Sequence, residues 1–272
     1  MPLYIKSTFR TVRRVVGTAA PAAAQTLGRD LQRRRVRLEL ARPAVFYHIA
    51  CMGNWEDVVI EQLDLLARVG LGDRVDGAIL GTPVQIRRCI DLAKQRGITL
   101  GMHFSHLEMN HYEAPTLDAL QNWARTHRRS AALYFHTKGV SDPRGTGRIA
   151  WRHLMQRHVI DRWRQNVEML HAADAVGVGW YDDHPHFCGN FWLARADWLA
   201  SLPPIRRYQQ EFPNLRILDQ TWERMACERW IGARPGIRVV SLACRNKQLW
   251  LDHIATELLQ NAPATPVPRP VH

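Results

Sequence analysis

The stretch AVFYHIA at residues 44–50, continued by CMGN at 51–54, indicates the fold class. A short run of mostly apolar, β-branched and aromatic residues is typical of a strand that is buried on both faces. Asn54 then precedes apolar residues that recur at helical spacing up to Gly70. The segment therefore predicts a buried strand, a short loop and an amphipathic helix, with Asn54 as a candidate helix cap.

The same alternation continues along the chain. Further strands are predicted at residues 78–80, 98–102 and 131–136, with helices at 83–96 and 116–127. Strands and helices joined by short links favour right-handed crossovers and a parallel sheet. We therefore predict an α/β fold with a GT-A-like (Rossmann-like), mostly parallel sheet, helices on both faces and ligands at the carboxyl ends of its strands. No Gly-rich dinucleotide motif follows the first strand and no P-loop motif occurs, so neither of those nucleotide sites is expected.

Composition excludes several classes of protein. The chain has 272 residues, of which 46% are hydrophobic and 23% charged, so it can bury a substantial core. It has no run of about 18 uncharged apolar residues, which excludes a spanning helix. Its five cysteines form no close pair in sequence, which argues against a disulfide scaffold or a cysteine-based zinc ribbon. A reducing, cytoplasmic setting is the simpler expectation.

The positive charge is concentrated at the N-terminus. The net charge is +12, and residues 1–42 contribute +8 of it through ten basic and two acidic residues. We predict a basic N-terminal arm at 1–42, a catalytic domain at 43–261 and a Pro-rich tail at 262–272. Apolar residues interspersed with arginines would let the arm contact an anionic membrane at its inner face, peripherally. A solvated leader and a nucleic-acid-binding arm are the other interpretations.

Two segments carry candidate binding chemistry. The run YFHTKGVS at residues 134–141 leads from a buried strand into polar donors, and His136, Thr137 and Lys138 stand where a phosphate would bind. A simple surface turn would have the same pattern. The second segment, WYDDHPHFCGNFWLA at 180–194, combines aromatic rings with an amide and carboxylates, as sugar-binding sites do. Its candidates for sugar or acceptor binding are Asp182, Asp183, His186, Asn190 and Trp192.

Four motifs in this order resemble those of a bacterial and viral family of glycosyltransferases. They are HTKG at 136–139, WR at 151–152, HFCGNFWLA at 186–194 and ERWIG at 228–232, and the match spans about residues 45–232. The resemblance implies a GT-A-like fold that moves a sugar from a nucleotide-sugar donor to a saccharide or lipid-linked acceptor in surface polysaccharide synthesis. It also adds Arg152 to the expected sugar- or acceptor-binding residues, although a surface cation is the simpler interpretation of that side chain.

Such a transferase needs a counter-charge for the leaving diphosphate and a base for the acceptor hydroxyl. The metal-binding D-x-D motif usual in GT-A enzymes is replaced here by His136-Thr137-Lys138. Either Lys138 supplies the counter-charge without a metal, which we favour, or Asp182 and Asp183 hold Mg²⁺ or Mn²⁺.

The resemblance places the catalytic base and the donor's nucleoside. Glu228 is the expected base of a one-step, inverting displacement, with Glu223 as its rival. A salt bridge from Glu228 to a neighbouring arginine is the plainer alternative. Asn54 would lie near the base and ribose of the donor, if it does not merely cap a helix.

Three other functions remain open from the sequence. A basic nucleic-acid-binding protein would explain the net charge, although that charge lies mainly in the arm. A catalytically inactive homologue would bind nucleotide sugars without releasing nucleotide. A zinc hydrolase would use His103, His106 and His111 with Glu108, but their spacing matches no zinc motif.

Overall fold

The computed structural model describes residues 42–141, 146–212 and 222–243. The strands are β1 Ala44–Ala50, β2 Arg74–Leu80, β3 Thr99–His106, β4 Ala131–His136, β5 Ala175–Val178, β6 Trp180–Tyr181, β7 His186–Phe187, β8 Trp192–Arg195 and β9 Val239–Leu242. The α-helices are α1 Trp55–Arg68, α2 Pro83–Lys94, α3 Ala114–Thr126, α4 Thr146–Met155, α5 Trp163–Met169, α6 Ala196–Leu199, α7 Ile205–Glu211 and α8 Trp222–Arg229. A π-helical turn at Gln156–Asp161 joins α4 to α5, and 3₁₀ turns lie at Met109–His111 and Trp230–Gly232.

Seven of the described strands form one sheet in the order β3-β2-β1-β4-β8-β5-β9. The pairs β1–β2, β1–β4, β2–β3 and β5–β9 are parallel, and β8 runs antiparallel to both of its neighbours. β6 and β7 form a separate two-stranded hairpin. Because β1 lies between β2 and β4, the carboxyl ends of these three strands share one edge of the sheet.

Alternating side chains of the strands pack into two cores. Tyr47 and Phe135, on adjacent strands, stack with ring centroids 4.4 Å apart in the core that the apolar face of α1 covers. Phe46 and Tyr134 point to the other face, where Leu117 of α3 covers them. Period-two burial of this kind requires helices on both faces of the sheet. The predicted α/β fold, a mostly parallel sheet with helices on both faces, is confirmed.

The predicted bounds agree with the observed ones for the central strands β1 and β4, and less well for β2 and β3. The predicted bounds of β1 and β4 are those observed. β2 begins earlier than predicted, at Arg74, and β3 extends to His106, because backbone pairing between these strands continues past their apolar residues. The helical segment formed by α4 and α5 is interrupted by the π turn, where the Nδ2 of Asn166 donates to the carbonyl oxygens of His158 and Val159.

Other predictions fall partly or wholly outside the described residues. Residues 1–41 of the predicted arm and the whole tail at 262–272 lie outside them. None of the described helices is both long and apolar enough to cross a lipid bilayer. Cys51, Cys89, Cys188 and Cys227 are free thiols.

Candidate functional site

A cavity of about 530 Å³ opens at the shared carboxyl edge of β1, β2 and β4. Its charged and titratable lining residues are His48, Tyr112, Glu113, His136, Lys138, Arg148, Arg224 and Glu228. Lys138 and Glu228, which are 90 residues apart in sequence, therefore line the same cavity, as the predicted site requires. The cavity lies where open α/β sheets bind ligands.

Lys138 is the buried cation of the cavity. Its residue is only 7% exposed, and its Nζ lies 4.2 Å from the centroid of the Trp151 ring. Within the described part of the chain no carboxylate forms an ion pair with this ammonium group. Burial of an ammonium group without a counter-ion is unfavourable, and a cation–π contact offsets only part of that cost. An anionic ligand in the cavity would supply the missing partner.

Arg152 lies beneath the turn that carries Lys138. Its Nε and Nη2 each donate to a different carboxylate oxygen of Glu61 at 2.9 Å, and its Nη1 donates to the backbone oxygen of Lys138 at 3.1 Å. Arg152 is buried and does not line the cavity. The structure therefore does not support the expected contact of Arg152 with a sugar; the residue instead fixes the Lys138 turn.

His136 and Thr137 line the cavity and link β4 to neighbouring segments through hydrogen bonds. The Thr137 hydroxyl accepts from the backbone N–H of Ala50 at 2.9 Å, so it is engaged with β1. The Nε2 of His136 lies 3.0 Å from the carbonyl oxygen of Gly189, to which it donates. Burial, with the nearby charge of Lys138, holds the pKa of His136 well below its ordinary value, so the ring is neutral.

Glu228 and Glu113 are the carboxyl groups in the described lining of the cavity. Glu228 lies on α8 with a side chain that is 14% exposed, and its Oε1 is 3.5 Å from Nη2 of Arg224. Glu228 thus pairs with an arginine and also faces the cavity, and its role as a base stays a prediction. Its rival Glu223, on the same helix, is not among the lining residues.

Glu113 is a residue of the cavity that the sequence does not predict. This residue immediately precedes α3, where an acid looks like an ordinary feature of a helix start. In the structure it is 6% exposed and lines the cavity. Burial and then the negative charge of Glu228 raise the pKa of Glu113 to about 7. No local sequence signal gives this burial, since it arises from elements that are distant along the chain.

The aromatic segment 180–194 lies next to the cavity without lining it. The Oδ1 of Asp182 accepts from the indole N–H of Trp180 at 3.0 Å, and Asp183 is exposed. His186 stacks on Tyr181 with ring centroids 5.1 Å apart and is near enough to Glu228 for its pKa to respond to that charge. These three predicted sugar contacts therefore lie on a hairpin beside the cavity.

Asn190 and Trp192 are buried. The Oδ1 of Asn190 accepts from the indole N–H of Trp192 at 2.8 Å, and the Trp192 ring stacks on Tyr134 with centroids 4.9 Å apart. Asn190 has a φ of 60°, and a Cβ on the preceding Gly189 would lie 2.9 Å from the Trp151 ring. The structure does not place these residues where they meet a sugar. The segment instead supports the ring that faces Lys138.

Asn54 precedes α1 and does not cap it, since its side chain makes no hydrogen bond to the helix. Its Oδ1 is buried with no hydrogen-bond partner among the described residues. Asn54 does not line the cavity described above. Its predicted contact with a donor nucleoside stays a prediction.

The histidine cluster after β3 does come together, with ligand atoms of His106, Glu108 and His111 within 4.8 Å of one another. However, the Nδ1 of His106 accepts from the backbone N–H of Glu108 at 3.0 Å. The neutral ring then carries its proton on Nε2, which leaves no nitrogen lone pair for a metal. This hydrogen bond opposes a zinc site at the cluster.

The lining of the cavity also does not fit Mg²⁺ or Mn²⁺. These ions prefer several carboxylate or neutral oxygen ligands. Among the described lining residues, two carboxyl groups stand beside three cationic ones, Lys138, Arg148 and Arg224. One carboxyl group faces His136 and the other pairs with Arg224. Asp182 and Asp183 are outside the cavity lining.

Fold and site together define an α/β protein with a cationic cavity and a carboxyl pair at the carboxyl edge of its sheet. The chain belongs to the family described as Domain of unknown function (DUF8361), whose model matches residues 46–270. No match was found among curated proteins.

Two solved structures show weak similarity to the chain. HddC from Yersinia pseudotuberculosis is 9% identical with a TM-score of 0.36, covering 59% of this chain and 80% of its own. The 4-diphosphocytidyl-2C-methyl-D-erythritol synthase from Anaerococcus prevotii is 12% identical with a TM-score of 0.38, covering 81% of this chain and 100% of its own. Similarities this weak do not bear on the function.

Proposed function

We propose that this protein is a GT-A-like glycosyltransferase that moves a sugar from a nucleotide-sugar donor to a saccharide or lipid-linked acceptor. The observation that carries the proposal is the buried ammonium group of Lys138, which faces the Trp151 ring and has no carboxylate partner among the described residues. The motifs shared with the glycosyltransferase family include this lysine. A diphosphate in the cavity would satisfy its charge.

In the transfer, the diphosphate lies against Lys138 in the cavity that Arg148 and Arg224 also line. The bond from the anomeric carbon to the diphosphate oxygen breaks, and its electron pair leaves on the diphosphate, where Lys138 stabilises the developing charge. The acceptor hydroxyl attacks the anomeric carbon and gives its proton to Glu228. One displacement inverts the anomeric centre. The protein's own cations neutralise the diphosphate, so transfer is metal-independent.

The cellular setting belongs to the same proposal. A lipid-linked acceptor would bring the protein to the inner face of the membrane, where the basic residues of the arm at 1–42 would contact anionic lipids. Surface polysaccharide synthesis from cytoplasmic nucleotide sugars is the process that such a transferase serves.

The test is release of nucleotide from a panel of nucleotide sugars, with and without Mn²⁺. Wild type is compared with Lys138→Met and with Lys94→Met, which makes the same change at an exposed residue of α2. We expect turnover without Mn²⁺ for wild type and Lys94→Met, and donor affinity reduced about 10- to 100-fold in folded Lys138→Met.

Two outcomes would overturn this function, and a third would overturn the assignment of its donor site. Donor binding without nucleotide release would favour the inactive homologue. Absence of binding to every donor, with salt-sensitive binding to nucleic acid, would favour the nucleic-acid-binding protein. Equal donor affinity in Lys138→Met and wild type would show that the diphosphate of the donor does not bind beside Lys138 in this cavity.

A further inference from the structure

Glu113 presents an unsatisfied carboxyl oxygen in the wall of the cavity. One oxygen, Oε1, lies 3.7 Å from Nδ1 of His136. The other, Oε2, is buried and has no hydrogen-bond partner among the described residues. A buried carboxylate would normally be stabilised by several donors. The surroundings of Glu113 therefore fit a neutral carboxyl group better than a charged one.

The tautomer of His136 supports the same conclusion from geometry. Its Nε2 lies 3.0 Å from the carbonyl oxygen of Gly189, and a carbonyl only accepts, so Nε2 carries the proton of the neutral ring. Its Nδ1 then presents a lone pair to Glu113. A carboxylate oxygen facing that lone pair at 3.7 Å would repel it, whereas a protonated carboxyl group would remove this repulsion.

Charged and titratable groups reach Glu113 from two other elements. β4 and the turn after it contribute Tyr134, His136 and Lys138, and α8 contributes Arg224, Cys227 and Glu228. Burial and the charge of Glu228 oppose ionisation of Glu113, while a hydrogen bond from its own backbone N–H and the charges of Arg224 and Lys138 favour it. The opposing effects are the larger, since the pKa of Glu113 rises to about 7.

We propose that Glu113 is a positioning residue that holds a proton between itself and His136 and leaves Glu228 as the ionised carboxylate of the cavity. The role of Glu228 as base rests on the proposed function, whereas the proton on Glu113 does not. Two ionised carboxylates side by side would repel each other and a bound diphosphate. The proton on Glu113 thus makes the cavity more favourable for a phosphate anion, and its loss at higher pH weakens binding.

The experiment compares binding of inorganic pyrophosphate to wild type and Glu113→Gln by calorimetry at pH values of about 6 and 8.5. The glutamine imitates the protonated acid, because its NH₂ group can donate to His136. We expect the ratio of the wild-type to variant dissociation constants to rise about three- to tenfold between the two pH values. The ionisation of pyrophosphate itself affects both dissociation constants equally, so it does not change their ratio. Glu223→Gln, on α8 but outside the lining, should follow wild type.

Infrared spectra give a second readout that needs no ligand. Wild type should show the carbonyl band of a protonated, buried carboxyl group at the lower pH, weakened at the higher pH and absent in Glu113→Gln. A ratio that does not change with pH, or a band that survives in folded Glu113→Gln, would overturn the inference. If wild type and variant fail to bind pyrophosphate but the band behaves as expected, the proposed phosphate site is wrong, whereas the protonation of Glu113 is supported.

Discussion

Arg152 and Glu61 form a two-point ion pair between helices α4 and α1, with two N–O distances of 2.9 Å. The third donor of the same guanidinium group holds the backbone oxygen of Lys138 at 3.1 Å. Gln156, in the π turn, also donates to Glu61 at 2.7 Å. The position of the cavity's buried cation therefore depends on a hydrogen-bond network that lies outside the cavity.

Arg152→Ala should destabilise the protein by about 3 kcal/mol or more, because it removes one partner of a largely buried pair and leaves the Lys138 oxygen without its donor. Urea unfolding at neutral pH measures the change in free energy of unfolding. Arg68→Ala is the matched control, since Arg68 forms an exposed pair with Asp161. That control should cost less than about 1 kcal/mol. Equal costs in both variants would show that Arg152 is a surface cation.

The same network predicts how stability depends on pH. Burial alone would raise the pKa of Glu61, but hydrogen bonds from His153, Arg152 and Gln156 and the charge of Arg152 lower it to about 2. A depressed folded-state pKa contributes stability above the ordinary value of 4.5, and this contribution is lost as the pH falls toward about 2. Glu61→Gln should therefore be less stable than wild type at neutral pH, with a difference that shrinks on acidification.

Urea unfolding at pH values from about 7 down to 3 measures this difference. Asp57→Asn, at an exposed position on the same helix, serves as control. Its free energy of unfolding should fall on acidification by the same amount as that of wild type. A constant difference between Glu61→Gln and wild type across the range would contradict the assignment.

The central part of the fold was predictable because each of its strands is locally unambiguous. β1 and β4 are short, apolar and bounded by polar turns, so their hydrophobic pattern and their composition both indicate buried strands. The extent of β2 and β3 was not predictable, since polar residues such as Arg74 and Asp76 join the sheet through backbone pairing that a single segment does not reveal. The π turn depends similarly on tertiary bonds from Asn166.

The residues of the candidate site also differ in how far the local sequence predicts them. Lys138 was found because it directly follows a strand, and topology then fixes which edge of the sheet it occupies. Glu113 and the pairing of Arg152 with Glu61 were missed because burial and partners come from residues far away in sequence. The aromatic segment 180–194 resembles a sugar-binding site in sequence because residues that bind sugars and residues that fill a core are of the same types.

Asn190→Ala should cost about 2–4 kcal/mol of stability. The indole N–H of Trp192 loses its buried acceptor, and alanine tolerates the φ of 60° poorly. Asn190→Gly should cost less, because glycine adopts this φ without strain and only the side-chain hydrogen bonds to Trp192 and Cys227 are lost. Thermal and urea unfolding of both variants measure these differences. Loss of activity in a fully stable Asn190→Ala would instead show that the amide contacts substrate.

Glu228→Gln is the prediction that tests the proposed mechanism. The change keeps the size of the side chain and its place beside Arg224, but the amide cannot take a proton from the acceptor. Turnover should fall about 10²–10⁴-fold while donor affinity stays near that of wild type, because a positioned base acts in the transition state. Steady-state turnover and donor titration on one preparation measure both, with Glu223→Gln as a control on the same helix. Unchanged turnover would remove Glu228 from the mechanism. Lost donor binding would show instead that Glu228 shapes the cavity, through the orientation of Arg224.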